Sequence, residues 1–228
     1  MPTSSSQQLT RLVAPERLLL EGMLAPFTHH MVFLEASTTD VADGFVRWRG
    51  QLGQACEAAT SRAALSEVLA SLRPLSFEHQ RHALLPTASR WTAYVNNYPL
   101  GTNVHSILPE LAVFLGCRAV LVSAVPAGAD EEVLAWSVYD PSITFAQPVR
   151  SVGVRNTRGW WRFWRTGQAL AFEDVRAYRA RRLRRRFSFD YLVAYAAALD
   201  LRPFDASFYT PESSGAVVIQ CGPRSPLR

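Results

Sequence analysis

Read as a pattern of apolar and polar positions, the chain divides into helical stretches on either side of a run of strands. Near the start, Leu12, Leu18, Leu19, Leu20 and Met23 stand close to a 3.6-residue spacing that Pro26 ends, so this part is expected to be helical. His30–Ala36 is a short apolar run with β-branched and aromatic members and predicts a strand. Behind Asp40, a residue type that caps helices, Val41, Phe45, Trp48, Leu52 and Cys56 recur every three or four residues. A helix is expected there, with Cys56 on its apolar face. Leu65, Val68, Leu69 and Leu72 share one face of a second helix that begins at Ser61 and breaks at Pro74.

The centre of the chain changes period. Arg90–Asn96 is rich in strand formers, and Asn97–Gly101 reads as a turn. Asn103 is placed to cap a helix carrying Val104, Ile107, Leu108, Leu111 and Leu115, with Pro109 inside it and Gly116 at its end. Arg118–Val125 and Glu132–Tyr139 then form one strand pair, and Arg150–Asn156 and Trp160–Arg165 a second, turning at Thr157, Arg158 and Gly159. Short connections between neighbouring strands require an antiparallel sheet, because parallel pairing needs a long crossover. Further on, Phe172, Val175, Leu183 and Phe187 predict an apolar helical stripe with Tyr178 beside it. Ser188 is expected to cap a last helix built on Leu192, Tyr195, Ala196 and Leu199, and Val217–Gln220 to form a final strand at the sheet edge. The fold class expected is α+β: an antiparallel sheet flanked by helices, with helical N-terminal and C-terminal parts. Residues 1–228 read as a single domain, with 1–86 as a helical N-terminal subdomain and 87–228 as the sheet and C-terminal helices.

Composition excludes more than it identifies. With 48% hydrophobic and 19% charged residues the 228-residue chain is neither disordered, collagen-like nor a coiled coil. All 24 basic residues are arginine. The absence of lysine excludes a lysine Schiff base and the lysine of a phosphate loop. No glycine-rich phosphate loop, G-x-S-x-G elbow or H-E-x-x-H motif occurs, so no catalytic residue, metal or cofactor is assigned. His79 and His82 have a spacing that suits metal ligation, but no third ligand stands beside them; adjacent His29 and His30 would point to opposite sides of a strand. Cys56, Cys117 and Cys221 are an odd number at wide spacing, which suits three reduced thiols in a cytoplasmic protein. No cationic leader and no membrane-length apolar run is seen, so neither secretion nor a membrane partner is expected.

Charge is where the chain becomes particular. Residues 1–149 carry 9 Arg against 13 acids, and residues 150–228 carry 15 Arg against 6, so a net +5 conceals an acidic part and a strongly basic one. Seven arginines (176, 179, 181, 182, 184, 185 and 186) fall in eleven residues without an acid among them. On a helix, Arg181 and Arg185 would stand one turn apart, as would Arg182 and Arg186, with mutual repulsion of a few tenths of a kcal/mol per pair, roughly. Such a row needs carboxylates from elsewhere in the fold or an anionic partner. Arginine favours carboxylate partners because its planar fork binds them through two hydrogen bonds. These four residues are therefore the candidate partner-binding set. A second candidate surface is the series Trp160, Trp161, Phe163 and Trp164. On a strand Trp161 and Phe163 share one face, and Trp160, Arg162 and Trp164 the other. Dense sheet aromatics suit a core; beside a basic patch, Trp160, Trp161 and Trp164 suit a platform on which nucleic-acid bases stack.

Two stretches resemble a group of poorly characterised bacterial proteins. The first is Arg90–Gly101, R-W-T-A-Y-V-N-N-Y-P-L-G, with the following Gly116–Val125 run, which is similar to that group's R-W-T-A-Y-x-[DN]-N core. The second is Tyr178–Phe187, Y-R-A-R-R-L-R-R-R-F, followed by P-F-D at Pro203–Asp205 and F-Y at Phe208–Tyr209. The resemblance implies an immunity or accessory protein of a bacterial toxin system. The expected function is thus a non-enzymatic module that binds an acidic protein, a cognate toxin, with stoichiometric neutralisation as its effect. The alternatives are a nucleic-acid-binding protein using the arginine segment and the tryptophan strand, and an enzyme with an unrecognised site.

Overall fold

A computed structural model of the chain describes residues 12–99, 104–128, 131–143 and 147–222. Its centre is one nine-stranded sheet: β1 (His30–Leu34), β2 (Cys56–Ser61), β3 (Gln80–Pro86), β4 (Thr92–Asn96), β5 (Ala119–Val125), β6 (Glu131–Tyr139), β7 (Arg150–Thr157), β8 (Trp160–Thr166) and β9 (Ala216–Cys221). The spatial order is β2-β9-β3-β4-β1-β5-β6-β7-β8, with every neighbour antiparallel. Strands β5 to β8 follow one another as a meander. The other half is assembled from distant segments.

Both faces of the sheet's first half are covered, which is why β1 and β4 are buried along their whole length. Alternation sends Val32 and Leu34 of β1 to one face, where they meet α1 (Thr38–Gln51) and α3 (Val104–Leu115) through Val41, Phe45, Trp48, Ile107, Leu108 and Leu111. Met31 and Phe33 point to the other face and meet α2 (Leu65–Ala70), α4 (Phe189–Ala197) and the N-terminal turns around Val13 and Leu19. A last short helix, α5 (Pro211–Ser214), leads into β9.

Several expectations hold and several are corrected. Strands at β1 and β4 to β8, and helices at α1, α3 and α4, stand where the periodicity places them; α2 starts at Leu65 rather than Ser61, which ends strand β2, and the expected cap Asn103 lies outside the described residues. The α1 cap is Ser37, whose hydroxyl accepts the Asp40 N–H at 3.2 Å, rather than Asp40 itself. Cys56 is on strand β2 rather than on a helix. Residues 1–86 are not a separate helical unit, because β1, β2 and β3 all pair into the common sheet. The N-terminal part holds two 3-10 turns, Pro15–Arg17 and Leu19–Gly22, in place of a helix, with left-handed backbone at Leu20 and Glu21 breaking any helical path. The final strand β9 lies inside the sheet between β2 and β3 rather than at its edge. Finally, the three cysteines are not three thiols. β2 and β9 pair so that Cys56 faces Cys221, with Cα atoms 4.1 Å apart, and the two form a disulfide; Cys117 stays free and buried.

Candidate partner-binding surface

β7, β8 and the arginine segment whose Leu183–Arg185 turn packs on β8 bring much of the basic part of the chain to the β8 end of the sheet. Arg158 and Gly159, with φ of 50° and 91°, make the two-residue turn between β7 and β8, and the Asn156 side chain accepts the Gly159 N–H at 2.9 Å. Positive φ at both central positions matches the twist of the flanking strands and fixes the register, Thr157 opposite Trp160 and Gly153 opposite Trp164. From that register alternation puts Trp161, Phe163 and Arg165 on one face and Trp160, Arg162 and Trp164 on the other.

The aromatics divide by role. Trp164 lies flat over Gly153: a Cβ there would sit 2.2 Å from the indole, and its Nε1 donates to Ser151 at 3.1 Å. Trp161 and Phe163 pack against the core on the opposite face. Trp160 alone presents a free ring, 84% exposed. The structure therefore does not bring the three tryptophans into one stacking platform.

The arginine segment folds differently from its expected helix. It forms two 3-10 turns, Ala177–Arg179 and Leu183–Arg185, with extended backbone at Ala180 and Arg182 between them. The extended step breaks the i,i+4 rows that would have stacked like charges. Arg186 turns inward: its Nε donates to the Ala180 carbonyl at 2.8 Å and its guanidinium lies 5.4 Å from the centre of the Phe163 ring. This contact seats the segment against β8 on the Phe163 face. Arg181, Arg182 and Arg185 remain exposed.

A buried polar latch holds the segment in place. Arg150 of β7 forms a two-bond ion pair with Glu173, Nε to Oε1 at 2.8 Å, and both side chains are almost wholly buried. Tyr178 donates its hydroxyl to Glu173 at 2.6 Å and lies 3.0 Å from the Tyr195 hydroxyl, which accepts the Asp174 N–H at 2.8 Å. Burial pushes the Glu173 carboxyl upward, but its bonds to Arg150, the Leu170 N–H and Tyr178 outweigh that and hold it below the usual carboxylate range. Burial and the neighbouring carboxylate raise Tyr178 far above an ordinary phenol, so it serves as a fixed donor.

Among the described residues, the carboxylates of the acidic part pair with other arginines than those of the outer group. Glu35, the acid of the first part that bridges two cations, is taken by Arg90 at 2.8 Å and Arg118 at 2.5 Å. Glu131 lies 3.9 Å from Arg155. Arg162, Arg165, Arg181, Arg182 and Arg185 make no ion pair among the described residues. Arg155, Arg162, Trp164 and Thr166 line a shallow depression of about 320 Å³. Charge density in the sequence singles out Arg181, Arg182, Arg185 and Arg186, of which Arg186 turns inward; it does not single out Arg155, Arg162 and Arg165, which the register of the two-residue turn places at the same end of the sheet.

The histidines have structural work. His82 is buried on β3, with Nδ1 2.9 Å from the Tyr94 hydroxyl, and burial keeps it neutral. His30 is 2.9 Å from Ser123 Oγ, and burial together with His105 and His29 pushes its pKa down to about 3. Among the described residues no group of three or more His, Cys, Asp or Glu is placed to hold a metal, and no helix is long and apolar enough to cross a membrane. No protein-family model, curated protein or solved structure matches the chain.

Proposed function

We propose that the protein acts by stoichiometric, non-enzymatic binding to a protein with an acidic surface, as an immunity protein acts when it occupies and neutralises a bacterial toxin. The observation that carries this reading is the group of five exposed arginines with no ion pair among the described residues: Arg162 and Arg165 of β8, and Arg181, Arg182 and Arg185 of the segment whose Leu183–Arg185 turn packs on it. Unpaired guanidinium groups gathered on one end of a sheet accelerate encounter with an acidic partner and reject basic ones. The toxin partner is drawn from the R-W-T-A-Y resemblance.

The test is affinity capture from the native host at low and high salt, comparing the wild type with Arg181→Glu/Arg182→Glu. Retention of one acidic protein by the wild type and its loss with the double variant supports the reading. Equal retention by both chains overturns it. Nucleic-acid binding is the second reading, favoured by the free Trp160 ring beside Arg162. It predicts a mobility shift with single-stranded nucleic acid that weakens steeply as salt rises.

The cytoplasm as place of action needs its own test, because the Cys56–Cys221 disulfide removes the thiol argument for it; such bonds persist chiefly in oxidising compartments. Protein trapped from cells with an alkylating reagent under denaturing conditions reports three thiols if it resides in a reducing compartment and Cys117 alone if it does not.

A further inference from the structure

We propose that the free edge of β8 takes up an extended acidic segment of the partner as a tenth strand of the sheet. This rests on the reading that the partner is an acidic protein, and adds how the contact is made. Among the described residues, strand β8 is last in the sheet order and pairs only with β7. In a two-residue hairpin the residues flanking the turn exchange backbone hydrogen bonds, and the bonded pairs recur every second residue. Trp160, Arg162, Trp164 and Thr166 therefore bond to β7. The N–H and C=O groups of Trp161, Phe163 and Arg165 point away from the sheet, and no backbone hydrogen bond from a described residue outside the strands reaches them.

Charge selects what can pair there. Side chains of an added strand alternate between the two faces of the sheet. On one face they meet Arg162 and the depression it shares with Arg155 and Trp164; on the other they meet Arg165, on the side where the Leu183–Arg185 turn packs. Carboxylates on alternating positions share one face of the added strand, and they find a guanidinium group whichever face of the sheet they take. A second copy of β8 would bring together two strands that carry only positive charge, which disfavours self-pairing. A nucleic-acid backbone fits less well: its phosphates accept hydrogen bonds only, and the outward carbonyls of Trp161, Phe163 and Arg165 would face them unsatisfied.

The probe is the peptide Thr-Glu-Val-Glu-Val-Glu-Thr, titrated at low salt into the full isotope-labelled chain. Two further peptides carry N-methyl groups on one or the other set of alternate amides, so their charges are unchanged. Strand addition predicts saturable binding and amide exchange at Trp161, Phe163 and Arg165 slowed at least tenfold. It also predicts that one methylated peptide loses at least tenfold in affinity while the other does not. Binding that is abolished by Arg162→Glu/Arg165→Glu, yet equal for both methylated peptides, leaves the acidic-partner reading standing and overturns strand addition. No binding by the unmodified peptide overturns both, and a change in oligomeric state without peptide, with protection of the same amides, shows self-pairing and overturns the proposal.

Discussion

The sheet has two edges, and they are finished in opposite ways. At one end β2, Cys-Glu-Ala-Ala-Thr-Ser, runs along β9 for its whole length with small side chains, a single charge at Glu57 and a covalent bond between Cys56 and Cys221. At the other, β8 carries three tryptophans, a phenylalanine and two arginines, and no disulfide. It is braced by side chains: Trp164 on Gly153, Phe163 under Arg186, and the Arg150–Glu173–Tyr178 latch behind them. The β2 edge is tied to its neighbour by a bond that needs no particular surface chemistry. The β8 edge is held by side-chain contacts on both of its faces, and along its outer side it carries arginines where β2 carries small residues.

The sharpest way to break this contrast is to remove the latch. Glu173→Gln leaves Arg150 buried without a counter-charge, and unfolding in urea is expected to show a loss of about 3–5 kcal/mol. The double variant Arg150→Met/Glu173→Leu removes both charges and recovers most of that loss. The pH profile separates the two as well. The Glu173 carboxyl is held below its ordinary value in the folded chain, so its contribution is complete above about pH 4.5 and is lost as the pH falls below that. The wild type therefore shows a component of acid destabilisation below pH 4.5 that the double variant lacks. Identical acid limbs for the two would show that the pair does not hold the segment.

Breaking the other edge has the next largest effect and a different signature. Cys56→Ser/Cys221→Ser opens a link between residues 165 positions apart. A stability loss of about 2–4 kcal/mol is expected, with affinity for the partner of the β8 end unchanged. A matching loss of affinity would show that the two edges are coupled, against the division drawn above.

How much of this was legible beforehand follows from where the deciding contacts lie along the chain. Helices α1, α3 and α4 and strands β4 to β8 were readable because their apolar spacing is local and their turns carry Gly, Asn or Ser at the required places. β2 was not, because Cys56 continues the three-to-four spacing of Val41, Phe45, Trp48 and Leu52, and only its pairing with β9, far along the chain, makes it a strand. The same distance hid the disulfide. The arginine segment misled differently: Leu183 and Phe187 are four apart as on a helix, but Arg186 reaching Phe163 and Tyr178 reaching Glu173 reward a path of separate turns. Of the candidate surface, Arg181, Arg182 and Arg185 were found by charge density alone. Arg162 and Arg165 became part of it only once the hairpin register was known.

Within the β8 edge, shape and charge can be separated by two substitutions of decreasing cost. Gly153→Ala places a methyl group where the Trp164 indole lies, 2.2 Å from its nearest atom, so the ring must lift. A loss of about 1–3 kcal/mol is expected, with Trp164 fluorescence shifted to the red and weaker partner binding at unchanged charge. Arg181→Glu/Arg185→Glu does the reverse. Both side chains are exposed and make no ion pair among the described residues, so thermal unfolding is expected to move by no more than about 0.5 kcal/mol. Reversing two charges on one side of the edge is nonetheless expected to abolish binding of an acidic partner at physiological salt. A large loss of stability in this variant would mean that the arginines hold the fold together, and the surface would then lose its claim to be free for a partner.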